Sequence, residues 1–439
     1  MSRQPTLLRS LGLGDATLLV IGCIVGVGIF RTASSIAHHL ASPALTLLVW
    51  GIGGVISICG ALCYAELASM FPSSGGDYIY ITQVYGRFWG FLFGWTKLFI
   101  ERTGTIAILG FVFAEYVRRI APYEETALRW VAGLAIVALT AVNVAGLRWG
   151  KYVQNVFTVL KLIALGVLIA VGVQAVAAGH TVHLSWTLPE ANVGLLRSMG
   201  VALVFVLWTY GGWTEAAYVA EEVKDPTRNV PLAILSGIAL TTVLYLLVNA
   251  AYLHFLPIEQ LQTTPLVASA VMERTWGRAG ATFIAVMIAC SAFGALNGYI
   301  LTGGRILYAM GKEHVLFDRL GTIHPTFRTP TTALWTNAAI AVGLVFTKTL
   351  DQIMTYSQTV ISVFFAMAVA GVLILRRTKP RQPRPYTAWG YPWTPIIFLV
   401  SMAWFIGAVA MEDPAEVGFG VGLLLLGIPL YWWSRAAKR

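Results

Sequence analysis

GCIVGVGIF, at residues 22–30, interrupts the first long apolar stretch of the chain, and WTYGGWTEA, at residues 208–216, interrupts the sixth. A membrane helix needs about 20 apolar residues, and glycine clusters inside such a helix indicate a break in its backbone. A broken backbone at that depth is tolerated only where it is buried or lines a cavity. Because the two clusters lie five helices apart, they predict an inverted-repeat transporter with its substrate site at mid-membrane.

The same glycines allow a second interpretation. Gly22, Gly26, Gly28, Gly211 and Gly212 are also small residues of the kind that let membrane helices pack closely. A single cluster would favour this packing interpretation. Two clusters in corresponding positions favour the broken helices.

The composition indicates a membrane protein. Of the 439 residues, 57% are hydrophobic and 11% are charged, whereas soluble proteins have about 25% charged residues. The 43 glycines and 15 tryptophans are typical of close helix packing and interfacial anchoring. This composition excludes an ordinary cytosolic enzyme, a disordered chain and a coiled coil. The apolar runs also lack the alternating polarity of barrel strands.

Windows without charged residues define the predicted spans. They indicate an all-α integral membrane protein with 12 transmembrane helices. The predicted helices cover residues 15–40, 44–70, 88–118, 128–147, 152–175, 198–222, 231–255, 278–311, 331–347, 353–375, 393–411 and 417–434.

The basic residues predict the orientation. With the amino terminus inside, the cytoplasmic segments carry 19 Lys and Arg residues and the opposite side carries seven. This asymmetry predicts a multi-pass protein of the plasma (inner) membrane with both termini cytoplasmic. It also accounts for the net charge of +10 without a nucleic-acid partner. The four cysteines lie in apolar stretches, so no disulfide framework is expected.

Three further stretches of sequence form recognisable motifs in addition to the one in the first helix. They are CYAELASMFPSSGGDYIYI at residues 63–81, YGGWTEAAYVAEEVKDPTRNVPLAI at 210–234 and CSAFGALNGYILTGGRILYAMGKE at 290–313. Together the four motifs resemble helices 1, 2, 6 and 8 of the amino acid–polyamine–organocation (APC) superfamily, in a prokaryotic branch similar to the L-type amino acid transporters (LAT). The resemblance extends in register from helix 1 to helix 10.

The resemblance implies the LeuT-like fold, a five-plus-five inverted repeat with broken helices 1 and 6. The first repeat (helices 1–5) is expected in residues 1–175 and the second (helices 6–10) in 176–376. Residues 377–439 would hold helices 11 and 12 and the cytoplasmic carboxyl terminus. Helices 1, 2, 6 and 7 would rock against helices 3, 4, 8 and 9.

The implied function is sodium-independent transport of neutral L-amino acids by alternating access, as an exchanger (antiporter). The alternatives are a proton-coupled permease and a carrier of charged amino acids or polyamines. The expected partners are the amino acid substrate and the lipid bilayer. Animal relatives carry a cysteine between helices 3 and 4 that links them to a glycoprotein. Residues 115–129 contain none, so no disulfide-linked ancillary subunit is expected.

A broken helix offers free N–H groups where its second half begins and free carbonyls where its first half ends. The substrate carboxylate is therefore expected on N–H groups around Val27 and Gly28, and the ammonium on carbonyls near Ile24, Trp208 and Gly211. By the resemblance, these are the substrate-contacting positions of the family.

Two of these residues depart from the family pattern. Val27 stands where the family often has serine, and Trp208 stands at the aromatic gate, which is often phenylalanine. Trp208 is expected to gate the side-chain pocket, the alternative being ordinary packing. A bulky gate beside an apolar Val27 favours a small or medium neutral substrate side chain.

Lys161 lies about nine residues into the predicted fifth helix, about 14 Å along its axis and near mid-membrane. An ionisable group at that depth is a functional hypothesis by default. The resemblance implies a coupling role, in which the lysine replaces a sodium ion and ties helix 5 to broken helix 1. The alternative is a static ammonium satisfied by carbonyls.

Helix 3 carries a cluster of charges. Lys97 and Glu101 are spaced to pair on one helix face. Arg102 resembles an arginine found in cystine/glutamate exchangers and leaves open an anionic substrate side chain. Glu215, just past the second break, leaves open a cationic one, although a helix amino terminus stabilises a carboxylate in any case.

Charged residues near the cytoplasmic ends have mainly structural interpretations. Glu66 is expected to be structural. The segment after helix 6 is interpreted either as a cytoplasmic gate network or as a solvated loop. Its charged residues are Glu221, Glu222, Lys224, Asp225 and Arg228.

Other function classes lack their motifs. The seven histidines are scattered, and none lies at metal-ligand spacing with a carboxylate inside a span. No phosphate-binding G-x-x-x-x-G-K-[ST] motif is present, which argues against ATP-driven transport. The sequence therefore predicts no enzyme activity, no cofactor and no metal.

Overall fold

The computed structural model describes residues 9–73, 75–177, 193–264, 266–313, 315–347, 350–412 and 414–436. Part of the orientation prediction lies outside these residues, namely the charges of Arg3, Lys348, Lys438 and Arg439, and the side chains of Arg148 and Arg435 are not described either.

The described chain is almost entirely helical. Its helices are α1 (Leu13–Ile24), α2 (Gly28–Leu40), α3 (Pro43–Met70), α4 (Asp77–Tyr85), α5 (Arg87–Thr96), α6 (Arg102–Ile120), α7 (Leu128–Val144), α8 (Leu147–Ala177), α9 (Val193–Tyr210), α10 (Glu215–Tyr218), α11 (Pro226–Phe255), α12 (Ile258–Thr263), α13 (Val267–Glu313), α14 (Thr331–Thr347), α15 (Leu350–Thr378), α16 (Trp393–Glu412) and α17 (Pro414–Ala436). A π-helical segment, Lys97–Glu101, joins α5 to α6, and short 3-10 turns lie at Glu125–Ala127, Ala220–Glu222 and Val315–Gly321.

Among the described residues, seven helices are long and apolar enough to cross a membrane. The pair α1 and α2, bent by 40° at a short break, makes an eighth span. Shorter apolar helices lie at Gly194–Tyr210, Thr331–Thr347 and Val417–Trp433. The chain is thus a multi-pass helical membrane protein, as its composition predicts.

The first, third and sixth predicted helices differ from continuous spans, whereas the eighth is preceded by a kink. The first is divided between α1 and α2, and the sixth ends at Tyr210 before the four-residue helix α10. The third changes to π-helical geometry at Lys97–Glu101. The eighth begins after a kink at Gly277, where a φ of 62° suits glycine and ends the preceding helical segment.

The two breaks lie at the centre of the helix assembly. Helix α1 packs against α8, α11 and α13, and α10 contacts α1, α11 and α13. Residues of both half-helices are buried in one continuous apolar core. Because irregular backbone exposes polar groups, this central position means that protein rather than lipid must satisfy them.

An ion pair and backbone hydrogen bonds hold several helix ends together. Glu66 of α3 accepts hydrogen bonds from Arg376 and from the backbone N–H of Ala388. It therefore ties α3 to the end of α15 and the following loop, which fits a structural residue. Leu11, ahead of α1, forms a parallel β-bridge with Val223. Its N–H donates to the carbonyl of Glu222, and its carbonyl accepts from the N–H of Lys224.

Candidate substrate site

The two breaks touch each other through glycines. Gly212 has a φ of 108°, and a Cβ there would lie 2.9 Å from the carbonyl carbon of Cys23. A Cβ on Gly28 would lie 2.7 Å from Oγ1 of Thr209. Real Cβ atoms are not found so close to other heavy atoms, so both glycines are needed for this approach of one half-helix to the other.

The first break is a tight turn supported from α13. The N–H of Gly26 donates to the carbonyl of Ile24 at 2.7 Å. The hydroxyl of Ser291 lies within hydrogen-bond distance of the carbonyls of Val25 (3.2 Å) and Gly26 (3.3 Å). Ser291 therefore satisfies backbone groups that the break removes from the helix.

A tyrosine joins both breaks. The hydroxyl of Tyr245, fully buried on α11, lies 2.8 Å from the carbonyl oxygen of Ile24 and 3.3 Å from that of Thr209. Sequence reasoning missed both Tyr245 and Ser291. The available signal was a polar side chain within an apolar span, which several other residues of this chain share.

One cavity of about 80 Å³ opens between the breaks. All five predicted substrate-contacting residues line it, namely Ile24, Val27, Gly28, Trp208 and Gly211. Lys97, Glu101, Glu215 and Tyr299 line it as well. The structure therefore brings the two sequence motifs and the helix 3 charges to one place.

The backbone groups around the cavity are unequal. Val27 caps α2, whose first N–H groups have no intrahelical acceptor. The carbonyl of Ile24, in contrast, already accepts from Gly26 and Tyr245, which occupies both of its lone pairs. Ile24 thus lines the cavity, but its carbonyl is committed to holding the break in this conformation.

The charged residues of helix 3 form close pairs. The Nζ of Lys97 donates to Glu101 at 2.8 Å, as their spacing predicts. The same ammonium lies 5.4–5.6 Å from the ring centroids of Phe93, Tyr218 and Phe365. The intervening backbone is π-helical, a geometry that often marks functional sites.

Arg102 and Glu215 form a bidentate ion pair across the site. The two terminal nitrogens of Arg102 donate to the two carboxylate oxygens of Glu215 at 3.1 and 3.0 Å. Both side chains are at least 97% buried. The guanidinium also lies 4.8 Å from the ring centroid of Tyr299 and 5.3 Å from that of Tyr218.

Lys161 contacts the first half-helix from α8. Its side chain is fully buried, and its Nζ donates to the carbonyl of Gly22 at 2.7 Å. Gly22 lies two residues before the end of α1. The lysine thus ties the fifth predicted span to the broken first helix, while its part in coupling stays a prediction.

One residue of the predicted gate network is buried in an ion pair. Glu222 accepts from Arg305 of α13 at 2.9 and 3.1 Å, and both side chains are fully buried. Lys224, Asp225 and Arg228 are exposed. Glu221 is half-buried. The solvated-loop interpretation therefore suits the three exposed residues, while a gate role for Glu222 stays a prediction.

Comparisons with known proteins agree with this architecture. The family model "Amino acid permease" matches residues 11–428. The serine/threonine exchanger SteT of Bacillus subtilis is 29% identical over 433 residues, covering 98% of each chain.

Two mammalian proteins have a similar sequence identity to this chain. The large neutral amino acids transporter small subunit 2 of Rattus norvegicus is 33% identical, and the Asc-type amino acid transporter 1 of Mus musculus is 31% identical. Each match covers 98% of this chain and 82% of the relative. With its broken helices meeting at one central cavity, this chain belongs to the amino acid permease family.

Proposed function

We propose that the protein is a secondary transporter, not an enzyme, that exchanges neutral L-amino acids across the plasma membrane by alternating access. The observation that carries this proposal is the contact between the two broken helices around one small cavity. Such a cavity presents backbone N–H groups and carbonyls together, which suits the two charged ends of a zwitterion.

The relatives support the same substrate class. They are named as a serine/threonine exchanger, a large neutral amino acids transporter and an Asc-type amino acid transporter. Their matches extend over nearly the whole of this chain. We carry the neutral amino acid from these names to this protein as part of the proposal.

The proposed fold is the five-plus-five inverted repeat with 12 transmembrane helices. Eight spans, three shorter apolar helices and the charged α5–α6 helix together account for that number. We assign residues 1–175 to the first repeat, 176–376 to the second and 377–439 to the last two helices and the tail. Both termini are assigned to the cytoplasm on the basis of the basic residues.

In the proposed binding mode, the substrate carboxylate meets the N–H groups at the start of α2, around Val27 and Gly28. The ammonium meets carbonyls on the side of Trp208 and Gly211, since that of Ile24 is occupied. Trp208 closes the side-chain pocket. The small volume of the cavity, about 80 Å³, favours small amino acids such as alanine, serine and threonine.

We further propose that transport needs neither sodium nor a disulfide-linked subunit. The Nζ of Lys161 donates to the carbonyl of Gly22 near the end of α1, and this is the lysine that, by the family resemblance, replaces a sodium ion. The cysteines Cys23, Cys59 and Cys63 are free and buried, and Cys290 is free and half-buried.

The test is uptake of radiolabelled serine into proteoliposomes, with and without unlabelled serine inside. We expect saturable uptake that requires internal amino acid and is unchanged when choline replaces sodium. Uptake into empty vesicles driven by an inward proton gradient would favour a proton-coupled permease instead. Saturable uptake of lysine, glutamate or a polyamine with none of serine, alanine or leucine would overturn the neutral substrate.

A further inference from the structure

The wall of the cavity contains charges of both signs. Lys97, Glu101 and Glu215 line it directly, and Arg102 lies immediately behind Glu215. Each cation has an anion within 3.1 Å, in the pairs Lys97–Glu101 and Arg102–Glu215. The two positive and two negative side chains therefore give this wall a formal net charge of zero.

Arg102 and Glu215 come from the two sides of the cavity. Arg102 begins α6, directly after the π-helical segment, and Glu215 begins α10, directly after the second break. Arg102 also lies near the hydroxyl of Thr302 at 3.3 Å, near the carboxylate of Glu101 at 3.9 Å from its Nε, and between the flanking tyrosine rings. Its planar guanidinium is thus held in one orientation, with its donors toward Glu215.

Whether a buried charge has an ion-pair partner determines whether it can bind a charged substrate side chain. A buried charge that lacks a partner attracts an opposite charge strongly, because little water screens it. A bidentate arginine–carboxylate pair uses the donors and acceptors that a charged substrate side chain would need. An acidic or a basic substrate side chain would lose its hydration in this cavity and gain no free counter-ion.

We propose that the Arg102–Glu215 ion pair is a specificity determinant that restricts the cavity to substrates with uncharged side chains. The inference rests on the proposed function, since it concerns the side chain of an amino acid bound between the two breaks. Neither residue recognises a charged substrate on its own. Each one cancels the substrate preference that the other would impose.

Opposite single variants test the proposal. Glu215→Gln keeps the shape of the side chain and removes the bidentate partner of Arg102, while Glu101, 3.9 Å from the Nε of Arg102, stays paired with Lys97. The wall then carries one excess positive charge, so aspartate should compete with serine uptake at least about tenfold better than it does in the wild type. Arg102→Gln leaves Glu215 unpaired, so a short basic amino acid such as 2,3-diaminopropionate should gain by a similar factor. The double variant Arg102→Gln/Glu215→Gln should again prefer neutral competitors over both.

Glu222→Gln is the matched control. It breaks an equally buried bidentate pair and leaves Arg305 without its carboxylate, but Glu222 and Arg305 do not line the cavity. We expect this variant to keep the wild-type order of competitors. Gains for aspartate in both Glu215→Gln and Glu222→Gln would show a general loosening of the protein and overturn the proposal.

The remaining outcomes separate the two proposals. If the wild type takes up serine and Glu215→Gln only lowers all rates together, the pair is structural and the specificity proposal is wrong. If the single variants do not fold, the proposal is tested by competition with serine uptake in the wild type. The paired charges require aspartate and diaminopropionate to compete at least about tenfold less well than serine, and equal competition would overturn the proposal. A wild type with no uptake of neutral amino acids would instead refute the proposed function.

Discussion

The Nζ of Lys161 donates a hydrogen bond of 2.7 Å to the carbonyl oxygen of Gly22, and this side chain is fully buried. The contact joins α8 to the last turn of α1, immediately before the break. A charge at this depth is costly unless the protein uses it or satisfies it. The position of this ammonium therefore bears directly on how the broken helix is held during transport.

Lys161→Met should reduce serine exchange by about tenfold or more. The thioether chain fills a similar volume but cannot donate to the carbonyl of Gly22, so the end of α1 loses the hydrogen bond that ties it to α8. Burying an ammonium is costly in itself, so its replacement by a hydrophobic side chain offsets the lost hydrogen bond to Gly22, and the melting temperature in detergent should change by only a few degrees. Undiminished exchange by the variant, measured at equal protein density, would contradict a role for this lysine.

Gly212→Ala should abolish exchange and lower stability. A φ of 108° strains any residue with a Cβ, and the added atom would lie 2.9 Å from the carbonyl carbon of Cys23. Strain and overpacking each cost about 1–3 kcal/mol. Gly343→Ala is the control, because nothing lies within 4 Å of a Cβ at this exposed site in α14. Thermal unfolding should separate the two variants, and equal melting temperatures would argue against close contact of the breaks.

Tyr245→Phe should slow exchange by about fivefold, since the loss of a buried hydrogen bond costs about 1 kcal/mol. The variant removes the hydroxyl that lies near the carbonyls of Ile24 and Thr209. Tyr252→Phe, two turns along the same helix, is the control because its buried hydroxyl makes no hydrogen bond in the structure. Initial rates of serine exchange provide the measurement, and equal rates for the two variants would refute a bridging role for Tyr245.

Trp208→Ala should admit larger neutral substrates. Removing the indole enlarges the cavity that Trp208 lines, so leucine and phenylalanine should compete with serine at least about fivefold better than in the wild type. Phe205→Ala is the control on the same helix, because Phe205 stacks on His39 and does not line the cavity. An unchanged competitor order in Trp208→Ala would assign this tryptophan to ordinary packing.

The breaks and the cavity-lining residues were predictable because their signals are local. Glycine clusters mark the places where a membrane helix can depart from regular geometry, and the residues beside them must line whatever cavity results. The pairing of Lys97 with Glu101 was predictable for the same reason, since it needs only their spacing. The π-helical geometry between them carried no comparable signal.

What the sequence by itself determined was the membrane class, the approximate spans, the two breaks and the family, all of which follow from composition, short-range pattern and motif. Only the tertiary structure decided that Arg102 pairs with Glu215, 113 residues away, and that Tyr245 occupies the carbonyl of Ile24. The physical reason is that burial requires every charge and backbone polar group to find a partner but does not specify which one. Helix packing makes that choice, and here it turns two possible substrate-binding charges into a neutral pair.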